Sequence, residues 1–283
     1  MSGIGLVFGG GGAKGAYEIG AWKAICKMNI NSSIRIYAGT SIGAINIALI
    51  QLLDYEQVSR LWLKNNMERI FAAGGINYKE IIDIIFNIRN GEKINFDGLL
   101  SRDGLTELLH KIGIDKLENL KYDFYATAVN ISESSKNVNF IKPALDWYDG
   151  KKTGITEYIN LKNRDYDFIE KMLLATSSLP IVYPPVEIEG NYYVDGGIND
   201  NLPIYPIYNR GFKKIIAVST ERMNKNILIK KFPHAEILLI HPSVYLGNLF
   251  NGTLNFNSRK LNQMYRLGYN DALNGIRKSG LYS

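Results

Sequence analysis

The chain has 283 residues, 46% hydrophobic and 21% charged, with a net charge of +6 from 33 Lys and Arg against 27 Asp and Glu. That length buries a substantial core and suits one elaborated domain over residues 1–283 better than two equal ones, and the composition excludes intrinsic disorder. One cysteine, Cys26, excludes an intramolecular disulfide and a multi-cysteine metal site, and no Lys/Arg-rich arm points to a nucleic-acid partner.

The N-terminus carries no basic segment leading into a cleavable apolar stretch, so no signal peptide is expected. No apolar run is long enough to span a bilayer. The expectation is a cytoplasmic protein whose membrane contact, if any, is peripheral, drawn by the cationic excess to an anionic surface.

In chain order, Ile4 to Phe8 reads as a buried strand and Ala16 to Met28 as a helix, with Cys26 in its apolar pattern as a buried thiol. Between them lies Gly9-Gly10-Gly11-Gly12-Ala13-Lys14-Gly15. Ordering four consecutive glycines is entropically costly, which implies a backbone whose N–H groups must be approached closely. Gly10-x-Gly12-x-x-Gly15 satisfies the dinucleotide fingerprint literally, but no acidic residue lies between Glu18 and Asp54 to hold a ribose. A Walker loop fails as well, because Lys14 is followed by Gly15 and not by Ser or Thr.

A second strand, Arg35 to Ala38, meets the corner Gly39-Thr40-Ser41-Ile42-Gly43 and then a helix, Ile42 to Leu53. A strand that turns into a helix across a serine lifts the hydroxyl out of the backbone and sets it at a helix N-terminus, where negative charge is favoured. Ser41 is therefore the candidate nucleophile, with Gly39 and Gly43 permitting the corner. These elements form a β-α-β-α opening typical of a parallel sheet covered on both faces.

Residues 55–115 read as a helical insertion, with an amphipathic stripe from Tyr78 to Ile88 and turns at 72–75 and 90–92. The stripe suits core packing or a lid over the serine. Strands are expected at 123–130 and 138–141, a polar loop at 146–152, and a helix at 165–175 ending before Pro180. Glu189-Gly190-Asn191 reads as a hairpin turn into Tyr192-Tyr193-Val194, and Asp195-Gly196-Gly197 follows at the strand end. Asp200 is a rival base, although 199–201 reads better as a helix start. Strands at 214–219 and 236–241 and a helix at 257–278 with an outward basic side close the chain.

Three of these segments together resemble the patatin-like phospholipases: Gly10-Gly11-Gly12-Ala13-Lys14-Gly15, Gly39-Thr40-Ser41-Ile42-Gly43 and Asp195-Gly196-Gly197, in family order. Residues 175–180, 184–186 and 193–203 also fit the pattern; the likeness spans about 4–220 and is weakest between 60 and 165. It implies a three-layer α/β/α fold with a mainly parallel central sheet. It further implies a Ser-Asp dyad of Ser41 and Asp195, without a histidine, a cofactor or a metal. Gly11, Gly12 and Ala13 would supply oxyanion N–H groups, and Gly10, Lys14, Gly15, Gly39, Gly43, Gly196 and Gly197 would support them.

Of the three histidines only His241, late in the chain, occupies a place where an α/β-hydrolase triad would put one. The implied substrates are acyl esters of phospholipids or lysophospholipids. A general carboxylesterase or thioesterase on soluble substrates, and a non-catalytic lipid-binding protein, stand as alternatives.

Overall fold

The computed structural model describes residues 3–64, 67–71, 78–90, 99–135, 143, 145, 146 and 149–280. Among these residues eight strands form one sheet: β1 (Ile4–Phe8), β2 (Ile34–Thr40), β3 (Asp123–Asn130), β4 (Ile155–Asn160), β5 (Val186–Ile188), β6 (Asn191–Asp195), β7 (Lys214–Val218) and β8 (Glu236–Ile240). β1 lies at its centre, parallel to β2 on one side and β7 on the other, with β8 parallel beyond β7 and β3 parallel beyond β2. The all-apolar burial of β1 follows, since a central parallel strand is covered on both faces.

Successive β1 side chains feed two cores. Leu6 and Phe8 join the larger, and Val7 joins the smaller with Ile207, Ile215 and Leu228. The larger core is covered by α1 (Gly15–Lys27), α2 (Ile42–Leu52), α8 (Tyr166–Thr176) and the closing helix α11 (Ser258–Ser279). The smaller is covered by α9 (Tyr205–Asn209) and α10 (Lys225–Lys231). This is the three-layer α/β/α arrangement expected. On α11 the buried Leu261, Met264, Tyr265, Gly268, Ala272 and Ile276 recur every three to four residues, while Arg259, Arg266, Arg277 and Lys278 are exposed.

The far side of the sheet is antiparallel and sets the site. Residues 125–127 of β3 pair with β2 and β4 at once, and residues 128–130 pair with β6 and β4 at once. A strand has two edges, so β2 and β6 must share one edge of β3, end to end. β5 and β6 form a hairpin whose turn residues, Glu189 (φ 50) and Gly190 (φ 79), both have the positive φ that a two-residue turn of this hand requires.

Within 55–115 the chain forms α3 (Tyr55–Lys64), α4 (Met67–Phe71), α5 (Tyr78–Arg89) and α6 (Asp103–Ile112), and a one-turn α7 (Ser132–Ser135) follows β3. Val58, Leu61, Trp62, Phe71, Leu105 and Leu109 are buried in the larger core. On α5, Ile84 packs against that core and Phe86 is 63% exposed. The turn at 72–75, all but Asn90 of the turn at 90–92, and the strand at 138–141 fall outside the described residues. Cys26 is half-buried, and burial pushes its thiol pKa up to about 12.

The helix start expected at 199–201 does not form; a 3-10 turn occupies Gly196–Ile198 and the next α-helix begins at Tyr205. Asn199 and Asn201 spend their side chains on distant backbone, and Pro203 disfavours helical geometry at Leu202. β4, α10 and a π-helical turn at Leu249–Thr253 have no counterpart in the sequence reading.

Candidate active site

β2 delivers Thr40 and then Ser41, whose φ of 55 and ψ of −129 are a conformation non-glycine residues rarely adopt. The corner holds because neighbouring backbone crowds both flanking glycines. A Cβ on Gly39 would sit 2.6 Å from Ala44 Cα, and one on Gly43 would sit 2.3 Å from Gly9 O. Ser41 N–H donates to Thr176 Oγ1 at 3.0 Å, and the Thr176 hydroxyl donates to Thr127 O on β3. The end of α8 thus pins the corner to the sheet.

β6 brings Asp195 to the same point. Thr40 is level with Thr127 and Asp195 with Ala128, one residue on along β3. Ser41 Oγ donates to Asp195 Oδ2 at 2.6 Å. The other carboxylate oxygen accepts from Gly197 N–H at 2.7 Å, and Asp195 N–H donates to Ser178 O at 2.9 Å. A Cβ on Gly196 would lie 2.2 Å from Thr127 O, which is how the chain after Asp195 passes so close to β3. Asp195 is 3% exposed, and burial raises its pKa to about 6 against the opposing effects of the Ser41 and Gly197 hydrogen bonds and the Arg102 charge.

The glycine loop faces this pair. Gly10 N–H donates to Asn201 O at 3.0 Å and to its Oδ1 at 3.1 Å, while Gly10 O accepts from the Thr220 hydroxyl. A Cβ on Gly10 would stand 3.1 Å from Ser41 Cβ, so the loop backs directly onto the serine. Among the described residues, the N–H groups of Gly11, Gly12 and Ala13 have no acceptor in the protein. Gly11 and Gly12 line a cavity of about 240 Å³ together with Ser41 and Asp195, whereas Ala13 is fully buried and is absent from the lining. Gly15 packs against Ile42. Lys14 is buried with its Nζ 3.9 Å from Glu221, and burial lowers its pKa; it lines a separate hollow with Arg222 and Tyr245.

The cavity is apolar along Ile45, Leu179, Leu249 and Leu254, and the stacked rings of Phe71 and Phe256, 5.3 Å apart, close part of it. No histidine is among its lining residues. His241 follows β8, three strand spacings from β2 and so about 14 Å across the sheet. Asp200 accepts from Tyr158 OH at 2.7 Å and makes no hydrogen bond to Ser41.

Three residues of the site were given no role by the sequence reading. Thr176 and Asn201 sit in the stretches that carried the resemblance, so their place near the site was visible and their hydrogen bonds were not. Arg102 lies in the variable insertion, where no motif marks it.

Among the described residues no helix is long and apolar enough to cross a membrane. The chain is 25% identical over 218 residues to the lysophospholipase NTE1 of Eremothecium gossypii, covering 76% of this chain and 12% of that protein. It is 26% identical over 226 residues to the lysophospholipase nte1 of Aspergillus terreus, covering 79% of this chain and again 12% of that protein, so it spans a small part of either relative. In structure it is similar to VipD from Legionella pneumophila, with a TM-score of 0.59 at 12% identity, over 98% of this chain and 67% of that one. The likeness is one of fold. Residues 6–208, well over half of the chain, match the family model described as patatin-like phospholipase, and the chain belongs to that family.

Proposed function

We propose that this protein is a serine acyl hydrolase that cleaves fatty-acyl esters of phospholipids or lysophospholipids through a Ser41-Asp195 dyad. The observation that carries the reading is the 2.6 Å hydrogen bond from Ser41 Oγ to a buried carboxylate whose pKa is raised to about 6. At neutral pH such a group is still ionised, yet it is a stronger base than an ordinary aspartate.

Asp195 Oδ2 takes the Ser41 proton as Oγ attacks the ester carbonyl. The N–H groups of Gly11 and Gly12, which line the cavity without protein acceptors, supply the donors for the tetrahedral oxyanion, and Ala13, buried behind them, supports the loop. Collapse breaks the acyl–oxygen bond, and the departing glycerol oxygen takes the proton back from Asp195. Water then attacks the acyl-enzyme with Asp195 accepting its proton, and Ser41 leaves reprotonated with a free fatty acid formed. The Gly197 N–H on Oδ1 leaves only Oδ2 aimed at the serine.

The helices of 55–115 act as a cap within a single patatin-like domain, since α4 contributes Phe71 to the cavity wall. Peripheral contact with a membrane would deliver the lipid. The decisive experiment incubates the purified protein with mixed phospholipids and lysophospholipids and reads released fatty acids by mass spectrometry beside Ser41→Ala. Release that vanishes in the variant is expected, and equal release from both proteins defeats the reading.

A second reading is favoured by the cavity volume of about 240 Å³, below the ~300–1,000 Å³ of most ligand pockets. It is a hydrolase of short, soluble acyl esters. Rates on the same ester above and below its micelle concentration separate the two.

A further inference from the structure

On the cavity wall that holds Ser41 and Asp195 stands a cation that the dyad does not use. Arg102 precedes α6. Its Nη1 donates to Ser177 Oγ at 3.0 Å, and its Nη2 donates to Leu174 O at 2.9 Å and to Ser178 Oγ at 2.7 Å. The guanidinium lies over the Tyr183 ring, 3.7 Å from its centroid. These contacts fix the plane of the group, and none of them is with an anion. Among the described residues Arg102 has no ion-pair partner, and its Nε–H is buried without an acceptor.

A half-buried cation held rigidly and left without a counter-ion is costly, and the Nη1–H that Ser177 does not take remains for a phosphate or carboxylate oxygen entering the cavity. The cavity supplies a second argument. Among the described residues that line it, Arg102 is the one cation; the carboxylate of Glu221, also on the lining, pairs with Lys14 outside it. In a glycerophospholipid or lysophospholipid only the glycerol carbons separate the scissile ester from the phosphate. An ester carbonyl placed at Ser41 therefore keeps the phosphate in the same cavity.

We propose that Arg102 is the receptor for the phosphate of a phospholipid or lysophospholipid, positioning the ester at Ser41. This rests on the lipid-hydrolase reading above and adds the residue that distinguishes a phosphate-bearing lipid from a neutral one. The rival role is structural. Arg102 holds Ser178, whose carbonyl accepts from Asp195 N–H, so loss of the arginine could act through the dyad alone.

The test measures kcat and KM on lysophosphatidylcholine and on a monoacylglycerol with the same acyl chain, for wild type, Arg102→Gln and Arg102→Lys. Arg102→Gln should raise KM for the phosphate-bearing substrate roughly 10- to 100-fold, the range lost with a charge-assisted hydrogen bond. Any loss on the monoacylglycerol, transmitted through Ser178 and Asp195, should be smaller by that same factor, and Arg102→Lys, which keeps the charge, should retain part of the preference for the phosphate-bearing substrate. Equal losses on both substrates, or a shifted pH profile with KM unchanged, would overturn the proposal.

A second arm does not depend on hydrolysis. Calorimetric binding of glycerol 3-phosphate to Ser41→Ala protein should be lost when Arg102→Gln is added. Equal binding in both proteins, or none in either, would reject the site even if the wild type hydrolyses lipid. Inorganic phosphate binding as tightly as the glycerol ester would assign the site to free phosphate and overturn the lipid assignment.

Discussion

Ser41 and Asp195 end two strands that run toward each other along one edge of β3, and this shared edge sets the 2.6 Å between Oγ and Oδ2. Two residues 154 positions apart are thereby held as neighbours by register, with no flexible loop between each strand and its functional side chain. In the proposed mechanism Ser41→Ala abolishes labelling by a fluorophosphonate together with turnover. Asp195→Asn keeps an acceptor for Gly197 N–H but loses the base, and should lower kcat by about 10²–10⁴. His241→Ala, three strands away, should stay within about twofold of wild type. A loss in that variant comparable to Asp195→Asn, with the fold intact by circular dichroism, would sink the dyad.

The raised pKa of Asp195 gives a pH signature in both activity and stability. The carboxylate form is the base, so kcat/KM should rise tenfold per pH unit below about 6 and level off above it. Between pH 3.8 and about 6 the native state holds a proton that the unfolded state has released, so unfolding free energy falls as pH rises through that window. The contribution is on the order of 2 to 3 kcal/mol. Asp195→Asn should therefore raise Tm at pH 7 and have little effect at pH 4. An equal Tm change at both values would show that burial of the charge is not the cause.

The sheet centre and the serine corner were legible because their signals are local. An apolar run, glycines at Gly39 and Gly43 and a helical period after Ser41 all lie within twenty residues. The order of the strands around β3 was not, since β4 is a half-exposed antiparallel strand whose pairing with residues 125–130 depends on tertiary register. Arg102 was invisible for a related reason. Its meaning comes from Ser177, Ser178 and Tyr183, more than seventy positions away, and a lone arginine before a helix carries no pattern. The helix expected at 199–201 failed where the asparagine side chains were taken up by Gly10 and Thr153.

Gly11 tests the oxyanion loop. Its φ of 147 is closed to residues with a Cβ, and that atom would meet Thr220 Oγ1 at 2.6 Å. Gly11→Ala should swing the neighbouring N–H groups off target and lower kcat by about 10²–10³, the scale for losing an oxyanion donor, with KM nearly unchanged. Pre-steady-state kinetics on an activated ester would report it as slower acylation. An unchanged acylation rate would place the oxyanion elsewhere.

Thr176 links the corner to the sheet with one hydroxyl, accepting from Ser41 N–H and donating to Thr127 O, all in the buried interior. Thr176→Val keeps the shape and removes both bonds, leaving a donor and an acceptor unsatisfied. A loss on the order of 2 to 4 kcal/mol follows from the cost of such groups. Thr176→Ser retains the hydroxyl and should recover most of it. Urea midpoints for the three proteins decide the matter, and Val and Ser behaving alike would show that the methyl, not the hydroxyl, carries the role.

The closing helix depends on a contact that no side-chain pattern announces. A Cβ on Gly20 of α1 would lie 1.9 Å from Tyr265 O of α11, and one on Gly268 of α11 would lie 1.9 Å from Tyr17 O of α1. The two backbones touch reciprocally, each through a glycine of the other's partner. Because the obstruction is backbone and not a flexible side chain, Gly268→Ala must push the helices apart and loosen Tyr265, Ala272 and Ile276 in the larger core. A destabilisation on the order of 2 to 3 kcal/mol is expected, against the gain of up to ~1 kcal/mol that Gly→Ala brings to an unobstructed helix. Gly275→Ala, nearest to anything at 3.8 Å, is the control on the same helix and should be neutral or stabilising. Denaturant unfolding of both variants checks the contrast, and equal effects would mean that helix propensity, not the crossing of α1 and α11, sets the cost.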